Sequence, residues 1–236
     1  IYSRSGGYMG LSFAIPIDLA MNVQSQLIEH GSVQRGRLGV SVQSVNQELA
    51  DSFGLPRPTG ALVNQVVEDT AADNAGLKSG DVITSVNGQP VEDAAVLSRV
   101  IADQKPGSKI SLDVTRSGKQ RQIEVKLGAA EDNEVAMIGD DGGGSGLKAG
   151  RLGAVVRALD ENDKRALDET SGVLVERTEG AAMRAGLRPG DIILAVNSTA
   201  VKDPAQLQGL IAKAPEAIAL LVKRDNAEIY IPVKLS

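Results

Sequence analysis

Apolar residues along this chain recur in two rhythms, and each predicts a different kind of element. In Ile123-Glu124-Val125-Lys126-Leu127 every second position is apolar, the period of a strand with one wet face. Helical spacing instead runs through residues 18–30 (Ala20, Val23, Leu27) and 90–104 (Leu97, Val100, Ile101). Capping chemistry sets the ends of the first of these: Asp18 is a good N-cap, and Gly31 supplies the stop. Continued along the chain, the pattern predicts a Gly6-Gly7 turn, a strand over 11–17 and the helix over 18–30. A short helix over 47–53, a strand over 59–67 and the helix over 90–104 follow. A hairpin of 110–116 and 122–127 turns around Ser117-Gly118.

The second half repeats the first. Ala75-Gly76-Leu77-Lys78-Ser79-Gly80-Asp81-Val82-Ile83 returns 110 positions later as Ala185-Gly186-Leu187-Arg188-Pro189-Gly190-Asp191-Ile192-Ile193, without a gap, through to Asn87 and Asn197. A period this long indicates duplicated domains rather than solenoid units. Within each copy a helical turn ends at a glycine able to take the left-handed conformation, Gly76 or Gly186. A Gly-Asp turn follows, its carboxylate placed to bond nearby backbone amides, and then a β-branched run enters a core. Asp81 and Asp191 therefore read as turn caps rather than catalytic acids. Later elements repeat as well: a strand over 171–176, a helix over 204–213, and strands over 218–224 and 228–235. Pro232 in the last of these suggests an edge strand, or a position whose N–H would face outward.

Composition narrows the chemistry. With no Trp, two Phe and three Tyr in 236 residues, the cores must be built from Val, Ile, Leu and Ala. A formal net charge of −5 supplies no basic face for nucleic acid. The absence of cysteine excludes disulfides and thiolate sites. His30, the single histidine, falls in the last turn of a helix, where the dipole accounts for it, and a zinc site needs three or four ligands. No metal site and no cofactor is expected. Ser5-Gly6-Gly7 invites comparison with a serine nucleophile loop, but no base and orienting carboxylate can be assembled around Ser5. No apolar run reaches the roughly 18 residues of a spanning helix. Residues 128–150, acidic and then Gly-rich, read as a linker that lets two domains reorient unless they dock.

The repeated Ala-Gly-Leu-x-x-Gly-Asp-x-Ile/Val-x-x-Val-Asn pattern resembles the signature of PDZ domains carried by HtrA/DegP-type (DegQ/MucD-like) periplasmic serine proteases. The opening run Ser3-Arg4-Ser5-Gly6-Gly7 through Phe13-Ala14-Ile15-Pro16 resembles the end of their protease domain. The resemblance implies an α+β chain: the last strand and helix of a chymotrypsin-like domain (1–33), a first PDZ domain (34–128), a linker (129–149) and a second PDZ domain (150–236). Each PDZ domain would be a partly open β-sandwich or barrel of five to six strands with two helices. The chain, opening without Met, reads as a fragment of a longer enzyme and is itself no enzyme.

PDZ domains take an extended peptide as an added strand, with its terminal carboxylate in a cradle of backbone N–H groups. By that resemblance the first binding segment is Arg37, Leu38, Gly39, Val40, Ser41 and Val42, faced by Leu97 and Ile101, which core packing explains equally. The second, expected to be weaker, is Arg151, Leu152, Gly153, Ala154, Val155 and Val156, faced by Leu207. Ala154 stands where the first copy has the bulkier Val40. Implied partners are unfolded envelope proteins, hydrophobic C-terminal peptides, the chain's own protease domain and neighbouring subunits, in the periplasm. A scaffold that clusters partners is the alternative. A membrane metalloprotease would need His-Glu-x-x-His and spanning helices, which the sequence lacks.

Overall fold

A computed structural model describes residues 17–30, 33, 35–129, 147–160, 163–164, 171–225 and 227–235. The Gly6-Gly7 turn, Ser5 and the strand expected over 11–17 lie outside these residues, save Ile17, which opens helix α1 (Ile17–His30).

The first unit is an antiparallel sheet ordered β2-β3-β4-β6-β7. Its strands are β2 (Val40–Ser44), β3 (Ala61–Val66), β4 (Val82–Val86), β6 (Lys109–Arg116) and β7 (Lys119–Lys126), with β5 (Gln89–Pro90) on β4. The β6–β7 hairpin turns at Ser117 (φ 50) and Gly118 (φ 74), the doubly left-handed turn that suits the twist of paired strands. A separate two-stranded ribbon joins β1 (Gly36–Arg37) to β8 (Gly128–Ala129), so the expected linker begins inside the fold. Three helices complete the unit: α2 (Gln47–Phe53), α3 (Ala71–Asn74) and α4 (Ala94–Ala102). Asn46 and Asp93 cap α2 and α4 by accepting from the amides of Leu49 and Val96, each at 2.8 Å.

The second unit repeats this plan with β10 (Ala154–Ala158), β11 (Val173–Thr178), α5 (Gly180–Arg184), β12 (Ile192–Val196), β13 (Thr199–Ala200), α6 (Pro204–Lys213), β14 (Ala217–Arg224) and β15 (Ala227–Lys234). Its sheet runs β15-β14-β12-β11-β10, and Pro232 lies in the edge strand β15. Among the described residues one strand has no counterpart in the first sheet: β9 (Leu147–Ala149) pairs antiparallel with β10.

Each unit has its own aliphatic core, as the scarcity of aromatics requires. Leu97, Leu112, Ile83 and Val63 fill the first, and Leu152, Leu207, Leu220 and Ile193 the second. Both repeated aspartates are buried, and they do more than cap. Asp81 accepts from the Lys78 amide (2.9 Å) and takes a two-pronged guanidinium from Arg116 (2.6 and 2.7 Å), which also bonds the Gly76 carbonyl (2.8 Å). Asp191, Arg188, Arg224 and Gly186 repeat the arrangement in the second unit.

The units dock rather than swing apart. A third apolar cluster joins Val45, Leu49, Phe53, Leu62 and Val82 of the first to Ala195, Ala219, Leu221 and Tyr230 of the second. The Phe53 and Tyr230 rings meet edge-to-face with centroids 5.2 Å apart. Gln43 in β2 exchanges two hydrogen bonds with the Tyr230 backbone, at 2.9 and 3.2 Å. The Tyr230 hydroxyl donates to the Asn197 carbonyl and stands 3.2 Å from Ser79 Oγ. Burial pushes this phenol's pKa up to about 12.

Candidate functional site

Edge strands present unpaired N–H and C=O groups, and the first sheet has two of them. On β7 the run Lys119-Gln120-Arg121-Gln122 is exposed and charged, which discourages strand addition. On β2 the edge is short and apolar at Val40 and Val42, and helix α4 lies alongside. Between them runs a groove of about 300 Å³ lined by β1, the loop after it, β2, Val67, and Leu97, Ser98 and Ile101 of α4.

The loop between β1 and β2 is held by its carbonyls. Leu38 O accepts from the Ala72 amide (2.8 Å), and Gly39 O accepts from the Val67 amide (3.0 Å) and the Thr70 hydroxyl (3.3 Å). Among the described residues the Leu38 and Gly39 N–H groups have no protein acceptor, and both residues line the groove. An anion such as a carboxylate is the chemical complement of free backbone donors on a bend. Gly39 has φ +86, and a Cβ there would overlap the Thr70 side chain. Only glycine fits at this position.

The structure places Arg37, Leu38, Gly39, Val40, Ser41, Val42, Leu97 and Ile101 around this one groove. Leu97 and Ile101 are also core residues, 2% and 6% exposed, so they form the wall while Val40 and Val42 stay half-buried. Gly36, Val67 and Ser98 line the groove too, and Thr70 braces the loop. The spacing of Ser98, three residues before Ile101, could have revealed it; nothing in the sequence singles out Thr70.

The second unit's corresponding segment looks different. Leu152, Ala154, Val155, Val156 and Leu207 are all buried, and Arg151 donates to the Ala214 carbonyl at the end of α6 (3.3 Å). Gly153 repeats the left-handed bend (φ +71), its carbonyl accepting from the Glu179 amide (2.6 Å). Its open edge is taken: Ala149, Lys148 and Leu147 pair with Ala154, Val155 and Val156 in that order.

Residues 36–127 match a family model described as a PDZ domain, and residues 172–224 match a second PDZ-domain model. Over its full length the chain is 44% identical to a "Probable periplasmic serine endoprotease DegP-like" of Pseudomonas savastanoi pv. phaseolicola, and covers 50% of that protein. It is 42% identical to the protein of the same name in Halomonas elongata, again over 100% of this chain and 50% of the relative. The chain thus spans about half the length of the curated relatives it matches. A solved structure titled "HtrA-type protease AlgWS227A with decapeptide" is similar at 40% identity and a TM-score of 0.52, covering 58% of this chain and 41% of that one.

Proposed function

Because the chain carries two PDZ domains in tandem, we propose that the first domain captures extended apolar peptide tails by strand addition to β2. The supporting observation is the β2 edge beside α4, unpaired among the described residues and ending at a bend whose Leu38 and Gly39 amides have no protein acceptor among them. A peptide strand would run antiparallel to β2 with its carboxylate at that bend and an apolar side chain against Leu97 and Ile101. The free edge supplies affinity that is tolerant of sequence, and the pocket supplies the preference for an apolar end.

The full-length protein is, on this reading, a periplasmic HtrA-type serine endoprotease. Relatives that align along the entire chain are named probable periplasmic serine endoprotease DegP-like, and a similar HtrA-type protease was solved with a decapeptide. The tandem domains would then hold exposed hydrophobic segments of unfolded envelope proteins for a protease domain, and take part in assembly of the oligomer. The binding segment tests this directly. Leu38→Glu puts a carboxylate in the pocket wall and repels a peptide's own terminus, so calorimetric titration with a free-carboxylate, apolar-ended peptide should show affinity lowered tenfold or more. Unchanged affinity would reject the groove.

A further inference from the structure

The two domains share one plan but differ at the strand edge where a peptide would add. In the first, β2 ends its sheet among the described residues. In the second, the strand equivalent to β2 is β10, and β9 from the linker already lies along it. The pairing is antiparallel and in the sense a tail would take: the C-terminal end of β9, Ala149, lies opposite Ala154 at the glycine bend, and Leu147 lies opposite Val156 further along. Helix α6, the counterpart of α4, contacts β9 as well as β10. The added strand therefore occupies the space between the sheet edge and the helix, which in the first domain is an open groove.

We propose that Leu147–Ala149 is an internal ligand of the second domain, closing its groove until the segment is displaced. The second domain then holds a peptide site masked in cis, and free tails find only the first groove. This rests on the reading of strand addition given above. Physical chemistry favours such masking. Residues 150–153 separate the two strands, so the segment is held near its site by a loop of hairpin length. A tether that short gives an effective concentration in the millimolar range, which a peptide free in solution at lower concentration cannot match. The occupant also lacks a terminal carboxylate, because the chain continues through Gly150 to Leu152 as a 3-10 turn, and Arg151 pins that turn to the end of α6. A segment held by backbone pairing and proximity, without the carboxylate contact, is one that a stronger ligand can replace.

The test uses the whole chain, isotopically labelled, with backbone amide shifts followed during titration with a synthetic peptide ending in Ala-Leu-Val and a free carboxylate. In the unaltered protein the peptide should shift the amides of Val40 and Val42 and leave Ala154 and Val156 in place. In Leu147→Pro/Ala149→Pro, where β9 loses ladder donors, both pairs should respond, the second at a peptide concentration lower by on the order of tenfold. Should the proline pair collapse the second domain's amide dispersion, Ala149→Pro alone, which removes one ladder donor, carries the same comparison. Movement of Ala154 and Val156 at the same peptide concentration with and without the substitutions would overturn the proposal. So would their failure to move in a folded variant. Val40 and Val42 report separately: if they alone stay silent, the first groove is wrong and the masking of the second is judged on its own amides.

Discussion

Raising the pH should undock the two domains, and Tyr230 sets how far. The residue is 4% exposed, its hydroxyl donates to the Asn197 carbonyl, and Ser79 Oγ lies 3.2 Å from that oxygen. A phenolate there would lose hydration and face a carbonyl oxygen with no proton between them. Burial accordingly raises the pKa from the ordinary 10.0 to about 12. The sign follows from proton binding. Between those two values the folded protein keeps a proton that the unfolded chain has released, so stability is full below pH 10 and falls as pH rises to 12. The difference corresponds to roughly 3 kcal/mol. Tyr230→Phe removes the titration and isolates this contribution from other alkaline effects. At neutral pH the variant should be less stable by about 1 kcal/mol, since the Asn197 carbonyl loses its donor. Above pH 12 it should be more stable than the parent by about 2 kcal/mol. Urea midpoints measured along a pH series would show two curves that cross. Ultraviolet titration should meanwhile show a late-ionising tyrosine that is lost in Tyr230→Phe. Parallel curves, or the same late ionisation in parent and variant, would refute the reasoning.

Two further substitutions probe the repeat and the bend. Arg116→Ala strands the buried Asp81 carboxylate without its guanidinium and should cost about 3 kcal/mol in urea unfolding, as should Arg224→Ala at Asp191; a loss below about 1 kcal/mol at either would show the pair is dispensable. Gly39→Ala and Gly76→Ala should separate space from conformation, since both backbones are left-handed but only at Gly39 would the added Cβ strike another side chain. Gly76→Ala should lose about 1 kcal/mol of stability for its left-handed backbone, Gly39→Ala about 2 kcal/mol more for the overlap with Thr70, and Gly39→Ala alone should weaken peptide binding; equal binding by both would sever the bend from the groove.

Much of this architecture was legible in the residues. Two copies of Gly-Asp followed by a β-branched pair marked the core strands, and Leu38-Gly39-Val40 marked the bend, because left-handed glycines and buried β-branched runs are local properties. The expected helix over 47–53 was also there, but an amphipathic turn does not announce what it packs against, and its target is a sheet nearly two hundred residues away. Arg116 and Arg224 escaped notice for a related reason. In the sequence an arginine at a strand's end looks like solubility, and only the fold brings it to the aspartate. The strand at Leu147–Ala149 was the least readable, being three residues beside a Gly-rich stretch with no period to detect. Its partner edge on β10, not its own composition, makes it a strand.

Amide hydrogen exchange of the peptide-saturated protein tests the central claim most directly. Gly39 turns its carbonyl toward β3, so alternation leaves the N–H groups of Val40 and Val42 on the free edge of β2. A free-carboxylate, apolar-ended peptide should slow exchange at those two amides and at Leu38 and Gly39, leave β7 unchanged, and lose the Leu38 and Gly39 effect when its terminus is amidated. Saturation that leaves β2 exchanging as before, or that protects β7 instead, would contradict strand addition at this groove.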